Sequence, residues 1–220
     1  MNRDNYKSID YFEKYLKNQK SKIAKFNGVL SKIDENDADK IRQCKRILAN
    51  FYMDLFTAEY SYGASKDELE RTFSEYCNLV KESAVDSYSE MVDLLSISIL
   101  LDWQENVKWI KNNETFDDSL IKSLKAYLYG DGQINDASLD LKYPDYYKVF
   151  AEYLDGIKDA EELIQYVNKE WYSSSIDMSW YDSHLSKEDI YVGYWCWLAA
   201  AVLKIKECSI SNEKYIPSDF

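Results

Sequence analysis

Six glycines and two prolines in 220 residues leave this chain few places to turn sharply and few ways to break a helix. A loop-rich β-sandwich, a collagen-like chain or a Pro/Gly linker needs many more of both. The apolar residues fill the long uninterrupted stretches with helical spacing. Ile9, Phe12, Leu16, Ile23 and Phe26 step by three, four and seven, and Ile41, Cys44, Leu48, Phe51 and Leu55 do the same. Leu69, Phe73, Tyr76 and Val80 follow, then Ile121, Leu124 and Leu128, then Tyr147, Phe150 and Leu154. No segment keeps a period of two.

The punctuation agrees with the periodicity. Ser65, Ser87, Thr115, Asp159 and Ser186 each stand three residues before an acid and just ahead of an apolar run, the arrangement of a capping box. Pro144 suits a first helical turn, and Gly63 and Gly156 suit helix ends. The expected fold is all-α: a compact bundle of about eight to ten helices, near 5–26, 37–60, 66–85, 88–101, 103–112, 117–129, 144–155, 159–172 and 188–206. The last is apolar around nearly its whole circumference from Ile190 to Leu203, which predicts a helix running through the core. The segment 129–141, with Gly130 and Gly132, is the one expected hinge. It divides an N-terminal helical half, 1–130, from a C-terminal half, 131–220, the two packed together.

Composition narrows the functional classes. An apolar content of 46% excludes a disordered acidic tail. A formal charge of −12 argues against an autonomous nucleic-acid binder, which needs Lys and Arg in excess to neutralise phosphates. The N-terminus alternates charged and apolar residues, so no signal peptide is expected, and no apolar run reaches the roughly 18 residues of a membrane span. The expected location is the cytoplasm, with Cys44, Cys77, Cys196 and Cys208 as reduced thiols rather than two disulfides.

Most catalytic chemistry lacks its residues. His184 is the only histidine, which removes two-histidine metal sites, and it lies in a polar stretch where a surface or capping role is expected. There is no GxGxxG or Walker lysine motif. The run Gly130–Asp140 is faintly like a calcium loop but lacks the internal glycine and the terminal glutamate, and reads as a solvated turn. The pairs Asp117–Asp118 and Glu161–Glu162 sit in first helical turns, where the macrodipole favours negative charge. No metal or cofactor is expected. Trp171-Tyr172 and Trp180-Tyr181 lie outside any clear helical period and either pack under a loop or present aromatic surface to a partner.

The charge is unevenly spread. Residues 1–110 balance at −3 and residues 111–220 at −9, and the whole of that −9 lies within 131–189, where 14 acids meet 5 bases. Such a concentration suits a surface that meets a basic protein.

A set of short motifs then points to a family. Tyr60-Ser61-Tyr62-Gly63 closes a helix containing Arg42 and Arg46, and Leu94–Leu101 ends a later one. Trp171-Tyr172, Tyr191-Val192-Gly193-Tyr194-Trp195, Ala199–Val202 and Tyr215-Ile216-Pro217-Ser218-Asp219 follow in order. Over about residues 5–219 the chain resembles the PoNi family, bacterial immunity proteins for PoNe-type DNase toxins of polymorphic and contact-dependent secretion systems. It departs from the family pattern at Cys196-Trp197-Leu198, where Ser-Phe-Glu is usual, and at Tyr62, where arginine is frequent.

The resemblance implies a non-enzymatic protein that binds and blocks a cognate DNase, with no direct contact to nucleic acid or membrane. The acids expected to carry that contact are Asp131, Asp136, Asp140, Glu152, Asp155, Asp159, Glu161 and Glu162, supported by Trp180 and Tyr181. Tyr60, Ser61, Gly63, Gly193, Tyr194, Trp195, Tyr215, Pro217 and Asp219 form the structural signature. Two rival classes stand beside this: a helical scaffold or regulator without a toxin, and a small all-α hydrolase using His184 or a carboxylate pair.

Overall fold

The structure is a computed structural model that describes residues 2–130, 136–210 and 213–220. It is all-helical, and the chain divides into two compact units: residues 1–85 with 182–194, and residues 86–181 with 195–220. The expected hinge around Gly130 lies inside the second unit rather than at this division.

The first unit is built on α1 (Ile9–Leu30), α2 (Ala38–Tyr62) and α3 (Lys66–Ser83). Short connections make consecutive helices antiparallel neighbours, and α2 packs on both α1 and α3. Ser8, Asp37 and Ser65 cap the three N-termini by accepting the amides of Tyr11, Lys40 and Glu68, and Glu68 returns to the Ser65 backbone to complete a capping box. α1 buries Phe12, Tyr15, Leu16, Gln19 and Ile23, and α3 buries Leu69, Thr72, Phe73, Tyr76, Cys77 and Val80, each a single face at steps of three and four. The middle helix is buried on every side from Leu55 to Ser61.

The second unit holds α4 (Tyr88–Leu100), α5 (Ser119–Tyr129), α6 (Pro144–Leu154), α7 (Ala160–Tyr166) and α8 (Trp197–Ile205). α4 and α8 form its centre, with α5 against α4, and α6 and α7 against α8. Both central helices are buried around their circumference, Leu94–Leu100 in one and Trp197–Leu203 in the other.

Two expected helices are corrected. The segment 103–112 carries only a 3₁₀ turn at Lys108–Ile110. α4 stops at Leu100 because Asp102 turns left-handed (φ 57°) and the Trp103 amide closes back on the Ser98 carbonyl at 2.8 Å. The buried C-terminal helix begins at Trp197, not at 188. Residues 190–196 are non-helical; Gly193 has φ 124°, outside any right-handed helix. Their backbone groups find partners elsewhere: the Tyr191 amide donates to the Tyr11 hydroxyl (3.0 Å) and the Cys196 amide to the Tyr215 carbonyl (2.8 Å).

Candidate protein-binding surface

The signature residues Tyr60, Ser61, Gly63 and Tyr194 belong to a joint inside the first unit. Gly63 adopts φ 98° at the end of α2, so the Ala64 amide reaches the Glu59 carbonyl (2.9 Å) and the Gly63 amide reaches Tyr60 (3.0 Å). Arg3 reinforces this cap: its guanidinium donates to the carbonyls of Tyr60 (3.0 Å) and Ala64 (3.1 Å) and stacks on the Tyr60 ring at 4.6 Å. The Ser61 carbonyl accepts the Arg3 amide at 2.9 Å, and its hydroxyl donates to the Val192 carbonyl at 2.6 Å. Tyr191 donates its hydroxyl to Asp4, and Tyr11 donates to the Tyr191 carbonyl at 2.9 Å. Tyr60 to Gly63 therefore ties three segments together: the α2 terminus, residues 3–4 and residues 191–192.

His184 belongs to the same joint. Its ring lies 4.6 Å from that of Tyr6, and its Nδ1 is 2.7 Å from the Tyr194 hydroxyl, which also accepts the His184 amide. The imidazole is thus held by a tyrosine cluster, with no serine or cysteine side chain hydrogen-bonded to its ring among the described residues. The cysteines do not supply a nucleophile: all four are free, and burial pushes the Cys77 and Cys196 thiols up, which keeps them protonated. Asp118 is the N-cap of α5 and accepts from the Tyr88 hydroxyl (2.6 Å) and the Ile121 and Lys142 amides. Among the described residues no group of three or more His, Cys, Asp or Glu side chains can hold a metal ion, and no helix is long and apolar enough to cross a membrane.

The expected acidic contact residues all belong to the second unit. Asp131 lies outside the described residues. Most of the others gather around the C-terminal end of α6, but their carboxylates are in different situations. Asp155 is spent on the fold: it accepts the amides of Ala137 (2.6 Å) and Ser138 (2.9 Å) and the Ser138 hydroxyl, pinning that loop to α6. Glu152, with a side chain only 17% exposed, lies between Lys148 and Lys158 at 3.6 and 3.8 Å. Asp159 and Glu162 form the capping box of α7, and Lys158 also reaches Glu162 at 3.7 Å. Asp136, Asp140 and Glu161 are exposed. Neither of the first two side chains is hydrogen-bonded or ion-paired to a described residue, and Glu161 accepts only from Gln165.

Trp180 and Tyr181 sit in a separate construction. Residues 172–181 descend in tight turns, with amides at 175, 178 and 181 donating to carbonyls at 172, 175 and 178. This three-residue rhythm is why no helical period shows in the sequence. It lays Trp180 on Trp171 (centroids 5.4 Å, 24° between planes) and Tyr181 on Tyr172 (4.7 Å, 27°). Tyr215, 3% exposed, underlies the stack, parallel to Tyr172 and 5.5 Å from Trp171. The signature tyrosine of the C-terminus is therefore the base of the aromatic stack. Two exposed acids flank it, Glu170 and Asp177, which the sequence reading passed over. The signal was present as two Trp-Tyr pairs nine residues apart, each with an acid shortly before it.

Comparison with known proteins places this architecture. No curated protein matches the sequence. Among solved structures, protein PA2201 from Pseudomonas aeruginosa shares the fold at a TM-score of 0.68 and 15% identity, over 94% of this chain and 83% of that one. A family model for the N-terminal part of PoNe immunity proteins (PoNi) matches residues 3–111, and one for their C-terminal part matches residues 116–220. From the Arg3–Tyr60 joint to the Tyr215 platform, the chain belongs to the PoNe immunity protein (PoNi) family.

Proposed function

We propose that this protein neutralises a cognate DNase toxin of the PoNe type by docking an acidic surface of its second unit over the toxin's DNA-binding groove. The observation that carries the reading is the charge excess of 131–181, the part of the acidic stretch that lies in the second unit, with eleven acids against four bases, in a chain whose family is defined by immunity to PoNe toxins. A nuclease that grips phosphates displays lysine and arginine, and an acidic partner competes for the same field. Inhibition is stoichiometric and non-catalytic, needs no cofactor, and acts in the cytoplasm where the DNA lies. The contact uses the exposed acids Asp136, Asp140 and Glu161.

The test is co-expression with the neighbouring nuclease-like reading frame. Growth rescue, co-purification, and loss of plasmid cleavage at one equivalent of purified protein are expected. Absence of all three overturns the reading and leaves the helical scaffold in its place. His184→Ala separates the hydrolase class, because protection then survives loss of the only imidazole.

A further inference from the structure

We infer that the aromatic stack of residues 170–181 is the anchor of the toxin interface and that it receives an arginine side chain of the toxin; this rests on the reading just given. Trp171, Tyr172, Trp180 and Tyr181 each keep part of their surface in water, although Tyr215 beneath them is buried. Ile176, at the turn between the two Trp-Tyr pairs, is 65% exposed. Large half-exposed aromatic rings held rigidly by one another are the side chains that dominate protein interfaces, since they lose little conformational freedom on binding.

The charge around the stack selects the occupant. Glu170 and Asp177 are exposed and have neither a hydrogen-bond nor an ion-pair partner for their carboxylates among the described residues. They differ in this from Glu152, Asp155, Asp159 and Glu162, which hold caps, loops and lysines within the chain. Between Lys169 and Lys187 the sequence has no lysine or arginine. The cluster already accepts one cation on a ring face, Lys214 over Tyr215 at 4.7 Å. A planar guanidinium satisfies both elements at once: it stacks on an indole or phenol face and donates in a fork to a carboxylate. An ammonium, a strongly hydrated point charge, does this less well. A DNA-gripping protein has such arginines to offer.

The experiment measures affinity of the full chain for the purified toxin domain by calorimetry. Glu170→Gln with Asp177→Asn changes two exposed carboxylates that support nothing in the fold, and binding is expected to weaken about 30-fold. Trp180→Leu keeps an apolar side chain but removes the π face, and is expected to cost about 100-fold. In a double-mutant cycle, one toxin Arg→Lys replacement should cost about 10-fold against the wild-type chain and little more against Trp180→Leu. Affinities within twofold of wild type for the carboxylate pair overturn the inference while leaving the immunity reading intact, and decide the matter alone if Trp180→Leu melts early. A wild-type chain that does not bind the toxin overturns both.

Discussion

At the residue scale, the most informative side chain outside the surface is Asp93 on α4. It has no hydrogen bond or ion pair to any described residue, and burial pushes its carboxyl up to about 7, with Glu90 adding repulsion. The groups that feel its charge are Tyr147 on α6 and Cys196 just before α8, both held protonated by burial. A raised carboxyl pKa means that between about pH 4 and pH 7 the folded chain binds a proton the unfolded chain has released. Asp93 therefore costs stability progressively as pH rises through that window, and the cost is fully present above pH 7. Asp93→Asn removes it. Urea melts should show the variant more stable than wild type by about 4 kcal/mol at pH 8, the equivalent of raising the carboxyl from 3.8 to about 7, with the gap closing towards pH 4. An equal gap at both pH values rules the carboxylate out as its source. Nothing in the spacing of α4 revealed this, because the groups that meet its charge, Tyr147 and Cys196, are distant in sequence.

At the scale of elements, most of the architecture was legible because the chain announces its helix ends. The capping boxes at Ser65 and Asp159, the N-cap at Ser87 and the stops at Gly63 and Gly156 are local chemistry that a sequence displays, whereas α5 is capped by Asp118 and not by the expected Thr115. The two misplaced boundaries have the opposite character. The segment after α4 breaks at a left-handed residue that is not glycine, Asp102, as the chain after α8 does at Glu207, and residues 190–196 stay non-helical because partners distant in sequence satisfy their backbone. Those facts depend on tertiary contacts. Gly156 and Glu207 close their helices with the same hydrogen bonds, Ile157 to Glu152 and Cys208 to Leu203, both at 2.9 Å. A Cβ added at Gly156 meets nothing within 4 Å, so its substitution isolates backbone strain. Gly156→Ala should lose about 1 kcal/mol and Glu207→Gly should gain a similar amount, opposite shifts of about 3 °C in Tm. Shifts of the same sign would mean that the side chains, and not the left-handed backbone, set the stability of these caps.

At the scale of the whole molecule, the charge of −12 is not a uniform coat. α1 and the turn after it carry six lysines and no acid from residue 14 to residue 33, with Lys14 paired to Asp189 at 2.8 Å and Lys20 to Glu59 at 3.0 Å. The excess of acid is thus a property of the second unit, as the sequence balance indicated. Which acids are available to a partner was not legible, because a cap, a loop clamp and a free carboxylate look alike in one dimension. That distinction decides how charge steering is to be tested. Reversing Asp155 or Asp159 would break a loop or a helix start and confound binding with folding, whereas Asp136, Asp140 and Glu161 support little of the fold. Asp136→Lys, Asp140→Lys and Glu161→Lys together should lower the association rate with the toxin about tenfold at 20 mM salt, with dissociation little changed. The difference should shrink to less than twofold at 500 mM, where the Debye length has fallen to about 4 Å. Stopped-flow association across that salt range reads both quantities. A rate that ignores both the reversal and the salt would leave the toxin contact to the aromatic anchor alone, and the acidic excess of 131–189 would then serve solubility.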